Sequence, residues 1–253
     1  MSAPVLAPRR DSLRGVVTGA ASGIGRACVE LLVDHGARVD AWDRDADALA
    51  DLPSGNAIAT RRTDVTDSDS VAASAREAEL HWGSIDFVVN CAGAFLVGEL
   101  EDVSVDAVRG LFDVNVIGTT IVTQALLPAL VASKGSIVNV ASTVAVKPSV
   151  SNSHYAASKA AVAHLTRCWA LELGPKGVRV NSVAPGPTTT PLFRAAGMSA
   201  EEETEMLRER AATIPLGRVG DPVDTARWIA RFALEDDWTT GVVLPVDGGM
   251  SLG

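Results

Sequence analysis

Tyr155 and Lys159 stand four residues apart in A-A-S-K-A-A-V-A-H-L, an alanine-rich stretch of high helix propensity. Residues i and i+4 share a helix face, so a phenol and an ammonium can enter one pocket. A cation beside a phenol favours the phenolate and lowers its pKa from about 10 toward working pH. Tyr155, the only tyrosine in the chain, is thereby suited to exchange a proton with an alcohol oxygen. Ser142 closes the apolar run S-I-V-N-V-A-S, which reads as a buried strand. Its hydroxyl falls at the strand's carboxyl end, where open α/β sheets place their ligands. A Tyr–Lys pair at this spacing also occurs as an ordinary surface pair, so the elements around it must carry the argument.

Those elements are the parts of one large α/β domain. The chain has 253 residues, 47% of them hydrophobic, with no linker-like tract dividing it. We expect a domain over residues 12–253 and a flexible leader over 1–11. The leader's arginines follow a very short apolar stretch, the wrong order for a signal peptide. A net charge of −9 argues against nucleic acid or an anionic membrane as partner. No apolar run is expected to reach the roughly 18 uncharged residues of a membrane span. Cys28, Cys91 and Cys168 are scattered and read as reduced thiols of a cytoplasmic protein. The four histidines are dispersed, and no metal site is expected.

The first strand, L-R-G-V-V-T, runs into T-G-A-A-S-G-I-G-R at 18–26, and a helix follows. Gly19, Gly23 and Gly25 permit a tight turn and close backbone approach, and the helix N-terminus offers free N–H groups to a pyrophosphate. A second strand, A-R-V-D-A-W, ends at Asp43, about 20 residues on, where an acid hydrogen-bonds the adenosine ribose. A carboxylate there repels the extra phosphate of NADP and selects NAD. Arg44 pulls the other way, since an arginine at this place accommodates that phosphate; Asp43 holds the strand end itself and is taken to decide, with Arg44 stacking on the adenine.

With T-G-x-x-x-G-I-G intact from Thr18 to Gly25 and Tyr155 paired with Lys159, the sequence resembles the short-chain dehydrogenase/reductase family from residue 12 onward. The resemblance implies a doubly wound Rossmann-like α/β fold of seven parallel strands with helices on both faces. It implies that Thr18, Gly19, Ser22, Gly23, Ile24 and Gly25 seat the cofactor, that Asp64 and Val65 hold the adenine, and that Asn90, Ala92 and Gly93 lie against a ribose. Cys91 departs from the family's usual N-N-A-G. Ser142 is implied to polarise the substrate oxygen, Tyr155 to exchange the proton, and Lys159 to lower the tyrosine pKa and hold the nicotinamide ribose. Asn115 is implied to kink its long helix (about 104–131) and to anchor a water in a proton relay; as a residue alone it reads as a satisfied core amide. Pro185, Gly186, Thr188 and Thr190 are implied to close over the nicotinamide carboxamide, and the assembly is expected to be a homotetramer.

Residues 188–214 stand where the family carries its substrate lid, with Leu192, Phe193, Met198 and Met206 as the inner side. The expected pocket lining, Ala94, Phe95, Leu96, Thr143, Val144, Val146, Val150, Leu192 and Phe193, is mostly apolar. It favours a small-molecule secondary alcohol on an alicyclic or aryl ring, such as a ring diol, or the matching ketone. Lys147 and Arg194 are candidates to receive a carboxylate, and His154 is expected to pack away from the pocket. The rival readings are an NADPH-dependent 3-oxoacyl-thioester reductase and a catalytically silent dinucleotide-binding sensor or scaffold.

Overall fold

Val16 and Val17 show how the sheet is built. Both are fully buried, yet successive strand residues face opposite ways. Val16 packs with Val88, Leu126, Leu130 and Ile137 in one layer, and Val17 with Leu32, Val39, Phe87 and Ile229 in the other. A strand covered on both faces favours apolar residues at successive positions, which is why the central strands read as apolar-rich runs rather than alternating ones. Gly15 completes the strand for a different reason: a Cβ there would lie 2.3 Å from the Phe87 ring, which occupies that space.

The computed structural model of the protein describes residues 12–252, and the expected leader at 1–11 lies outside the described residues. Strands β1 (Arg14–Thr18), β2 (Arg38–Asp43), β3 (Ile58–Arg62), β4 (Phe87–Asn90), β5 (Ser136–Val140), β6 (Arg179–Pro185) and β7 (Val243–Val246) form one sheet. Their order is β3-β2-β1-β4-β5-β6-β7, and every pairing is parallel. Helices α1 (Gly23–Asp34), α2 (Ala46–Ala50), α3 (Ser68–Trp82), α4 (Val105–Phe112), α5 (Thr119–Ser133), α6 (Ser153–Leu173), α7 (Leu192–Ala195), α8 (Ala200–Thr213) and α9 (Pro222–Ala230) cover it. Strand order reverses between β1 and β4, which opens a crevice beyond their carboxyl ends. The expected fold class is the observed one.

Local signals set the helix starts. Asp67 caps α3 by accepting from the backbone of Asp69 and Ser70. Asp221 and Asp224 form a reciprocal capping box at α9, with Pro222 in the first turn. The helix expected over about 104–131 is instead α4, a π-helical segment at Asp113–Gly118, and α5. Taken together, Val105–Ser133 is long and apolar enough to cross a membrane by length and composition, with a mean hydropathy of 1.7 over an 18-residue window. That corrects the expectation from the sequence: residues 114–133 carry no charge. Here the apolar character serves packing, since Val122, Leu126 and Leu130 recur every four residues and are buried against the sheet layer.

A carboxylate sits deep in this core. Asp40, in mid β2, is fully buried and accepts hydrogen bonds from the indole N–H of Trp42 (2.7 Å) and of Trp82 (2.9 Å). Arg61 Nη2 donates to the same carboxylate at 3.0 Å. A buried charge persists only when paired and hydrogen-bonded, and this one ties β2, β3 and the end of α3 together.

Candidate active site

The crevice is a cleft of about 1050 Å³ that runs along the carboxyl ends of the strands. The Gly-rich turn forms one wall. Gly19 and Gly23 have φ of +63° and +52°, which other residues rarely adopt. A Cβ on Gly19 would come within 2.8 Å of Ala92 Cα, and one on Gly25 within 2.0 Å of the Gly19 carbonyl oxygen. Thr18 is buried just beneath; its Oγ1 accepts from the backbone N–H of Cys91 and of Ala92, both at 3.1 Å, and so pulls the loop after β4 against the turn. No side chain caps α1 at Ser22, so its first amides face the cleft without an internal acceptor. This shape fits a nicotinamide dinucleotide: a glycine cradle for close backbone approach and a helix N-terminus for a pyrophosphate.

Asp43 continues the wall toward β3. Its carboxylate accepts from Ala21 N–H and Asp45 N–H, each at 3.1 Å, which fixes it at the strand end. Asp64 is held by Thr66, whose amide and hydroxyl donate at 2.9 and 2.7 Å and keep its carboxyl below the usual range. Val65 reaches the cleft because Gly118 leaves room for it: a Cβ there would lie 2.8 Å from Val65 Cγ2.

At the other end Tyr155 and Lys159 enter the cleft from one face of α6, and Ser142 from the end of β5. The Ser142 hydroxyl bonds the phenol and pulls its pKa down, but burial outweighs it and holds Tyr155 at about 12. Lys159 Nζ lies 5.9 Å from the ring centroid and donates to the Val140 carbonyl at 2.9 Å. Desolvation lowers this lysine to about 8. Removal from water is the larger of the two causes acting on the phenol.

Most expected site residues line the cleft: Gly19, Ser22, Gly23, Ile24, Gly25, Asp43, Arg44, Asp64, Val65, Ala92, Gly93, Ser142, Tyr155, Lys159, Pro185, Gly186, Thr188 and Thr190. Thr18, Asn90 and Asn115 do not. Asn90 is turned into the sheet, where its amide donates to Thr123 Oγ1 (3.0 Å) and Asn139 Oδ1 (2.9 Å). Asn115 stands at the π-helical bend with its amide fully engaged. It accepts from Ala94 N–H at 2.8 Å and donates to Ala94 O at 3.1 Å and Ser158 Oγ at 3.0 Å. These bonds tie the π-helical bend to the Ala94 backbone and to Ser158 of α6. Cys91 lines the cleft as a protonated thiol, since burial pushes it up to about 12.

On the substrate side Ala94, Phe95, Thr143, Val144, Val150, Leu192, Phe193, Met198 and Met206 line the cleft as expected, while Leu96 and Val146 do not. Arg194 is spent on an ion pair with Glu203 that fastens α7 to α8. Lys147 lines the cleft, its ammonium donating to Met250 O at 3.1 Å, and His154 does not line it. Arg210, Thr213 and Met250, absent from the sequence reading, line it as well. Met206, Arg210 and Thr213 fall at i, i+4 and i+7 of α8, so only the helix period points to them.

A family model described as enoyl-(acyl carrier protein) reductase matches residues 19–251. A short-chain dehydrogenase/reductase of unknown function from Caenorhabditis elegans, solved with cofactor, superposes with a TM-score of 0.89 at 30% identity, covering 97% of each chain. The protein belongs to the short-chain dehydrogenase/reductase family. It is 40% identical to a cis-4-hydroxycyclohexanecarboxylate dehydrogenase of Sinomonas cyclohexanicum over 92% of this chain and 94% of that one. It is 38% identical to the 3-oxoacyl-[acyl-carrier-protein] reductase of Thermotoga maritima over 93% and 96%. As a short-chain dehydrogenase/reductase it is an oxidoreductase of CH–OH groups that uses a nicotinamide dinucleotide.

The glycine cradle gives a direct test of that cofactor seat. Gly25→Ala puts a methyl group against a backbone carbonyl that has no freedom to retreat, and overpacking of this kind costs about 1–3 kcal/mol. We expect NADH to bind at least about tenfold more weakly, with a lowered Tm. Wild-type NADH affinity in this variant would remove the turn from the cofactor site.

Proposed function

We propose that the protein oxidises a secondary alcohol carried on a ring, with NAD as cofactor, or reduces the matching ketone. The observation that carries this reading is a row of aromatic edges leading from the catalytic phenol. The Tyr155 and Phe95 rings meet at 4.8 Å and 71°, and the Phe95 and Phe193 rings at 5.1 Å and 87°. Val144, Leu192, Met198 and Met206 continue the same apolar lining. A ring fits such a slot with its hydroxyl turned to Ser142 and Tyr155, and the relative named for a hydroxycyclohexane supports this.

Each residue then has a task. Ser142 hydrogen-bonds the reacting oxygen and holds it beside the phenol. Tyr155 takes the hydroxyl proton in oxidation and returns it in reduction. Lys159 brings a cation to a site where burial disfavours the phenolate, and Asn115 keeps α6 in register with the Ala94 loop. The nicotinamide, when bound, supplies the hydride acceptor or donor.

Asp43 supports NAD over NADP. Its carboxylate is fixed by Ala21 and Asp45 at the end of β2, and with the adenosine ribose at that strand end, as the family resemblance implies, it would meet an added 2′-phosphate with like charge. Wild-type protein is expected to bind NADH at least about thirtyfold more tightly than NADPH, and Asp43→Ser to cut that ratio about tenfold or more, in a fluorescence titration. A preference for NADPH in the wild type would give the decision to Arg44.

The similarity to the T. maritima reductase favours a second reading, reduction of a 3-oxoacyl thioester. Incubation with NAD and a panel of cyclohexanols separates the two. We expect NADH to form; turnover confined to 3-oxoacyl thioesters with NADPH would replace the first reading with the second. A homotetramer is proposed from the family resemblance, supported by exposed apolar side chains at Val105, Ile117, Leu171 and Trp238.

A further inference from the structure

Four cationic side chains line the cleft: Arg44, Lys147, Lys159 and Arg210. Lys147 and Lys159 are hydrogen-bonded, and Arg44 lies among carboxylates. Arg44 lies at the β2–β3 end with Asp43, Asp45 and Asp64, the only carboxylates among the lining residues. Lys159 bonds Val140 O beside the catalytic phenol, and Lys147 bonds Met250 O. Arg210 is half-buried, and its guanidinium makes no hydrogen bond or ion pair among the described residues.

Its placement follows from α8. Met206, Arg210 and Thr213 share the helix face that borders the cleft, beside the apolar lining from Phe193 and Met198. Glu203 lies one turn before Met206 and is buried, but its carboxylate is taken by Arg194. Glu203 is thus used to dock α7 on α8, and the positive charge of Arg210 is left for something that enters. The planar guanidinium matches a carboxylate through two parallel hydrogen bonds.

We propose that Arg210 receives a carboxylate on the substrate, so that the preferred substrate is a ring hydroxy acid whose hydroxyl faces Tyr155 while its carboxylate pairs with α8. The proposal rests on the ring-alcohol reading and sharpens it. It assigns to Arg210 the role expected from sequence for Lys147 and Arg194. A site built around such a pair rejects the uncharged analogue, because the analogue leaves the arginine unpaired.

The test compares 4-hydroxycyclohexanecarboxylate with its methyl ester as substrates of the NAD-loaded protein. Wild type is expected to favour the acid in kcat/KM by about tenfold or more. Arg210→Met should collapse the acid-to-ester ratio about thirtyfold, mainly through KM for the acid, and Arg210→Lys should restore part of it. A ratio that Arg210→Met leaves unmoved overturns the proposal, as does a wild type indifferent to the charge. A second arm is independent of turnover: calorimetry of cyclohexanecarboxylate and cyclohexanecarboxamide binding to the protein with NAD. Tighter carboxylate binding that disappears in Arg210→Met supports the site even if no alcohol reacts, an outcome that would sink the ring-alcohol reading instead. Equal binding of the two by wild type overturns the site.

Discussion

Tyr155→Phe is expected to lower kcat for alcohol oxidation by about 10³-fold, within the 10²–10⁴-fold range of general acid–base groups. The variant removes one oxygen from a buried ring and leaves its edge contact with Phe95, so the fold and the slot should persist. NADH affinity should change by less than about threefold, because the glycine cradle and Asp43 are untouched. That combination separates a proton-transfer role from a packing role: a residue that only packs would lose little on becoming phenylalanine. The wild-type pH profile should agree. Burial holds the phenol at about 12, so its base form is scarce at neutral pH and grows as pH rises. Oxidation needs the base and should speed up from about pH 6 to about pH 9, while ketone reduction needs the acid and should not. An oxidation rate flat across that range, or a phenylalanine variant at near wild-type rate, would move the proton step to another group.

Asp40→Ala carries the largest expected loss of stability. The carboxylate is the shared acceptor for two indole N–H groups and for Arg61, all in a water-poor layer. Removing it strands two buried indole N–H groups and leaves Arg61 paired only with the exposed Glu77, and breaking a buried pair by deleting one partner costs about 3–5 kcal/mol. At about 2–4 °C per kcal/mol for a protein of this size, Tm should fall by about 10 °C. Asp40→Asn keeps one acceptor oxygen and should lie between. Two of the five tryptophans report directly on this node, so intrinsic fluorescence follows the same transition. A denaturation midpoint equivalent to less than about 1 kcal/mol of loss would show that the node is not a keystone of the sheet.

What was legible in the sequence was what lies close together in it. The Gly-rich turn between a strand and a helix, the Tyr155–Lys159 pair, the caps at Asp67 and Asp221, and the apolar strands each signal within one or two turns of chain. The Asp40 node was not legible, because Trp82 and Arg61 reach it only once β2 and β3 are in register and α3 has crossed the sheet. Asn90 and Asn115 show the same limit: the family motif marks their positions, but their amides are used inside the sheet and at the helix bend. Lys147 and Arg194 drew attention as cations near the pocket. Sequence proximity could not show that Glu203 would take one and Met250 O the other, nor that Arg210 would be the cation left over. Burial of the tyrosine was not legible either, since a neighbouring cation is written in the spacing and the extent of burial is not.

The central claim is most directly tested by mixing the purified protein with NAD and a cyclic secondary alcohol such as 4-hydroxycyclohexanecarboxylate and following NADH fluorescence. The account predicts steady NADH formation by wild type and nearly none by Tyr155→Phe at equal NAD occupancy. Tight NADH binding with no turnover of any ring alcohol or ketone, in either direction, would contradict it and leave a dinucleotide-binding protein without the reaction.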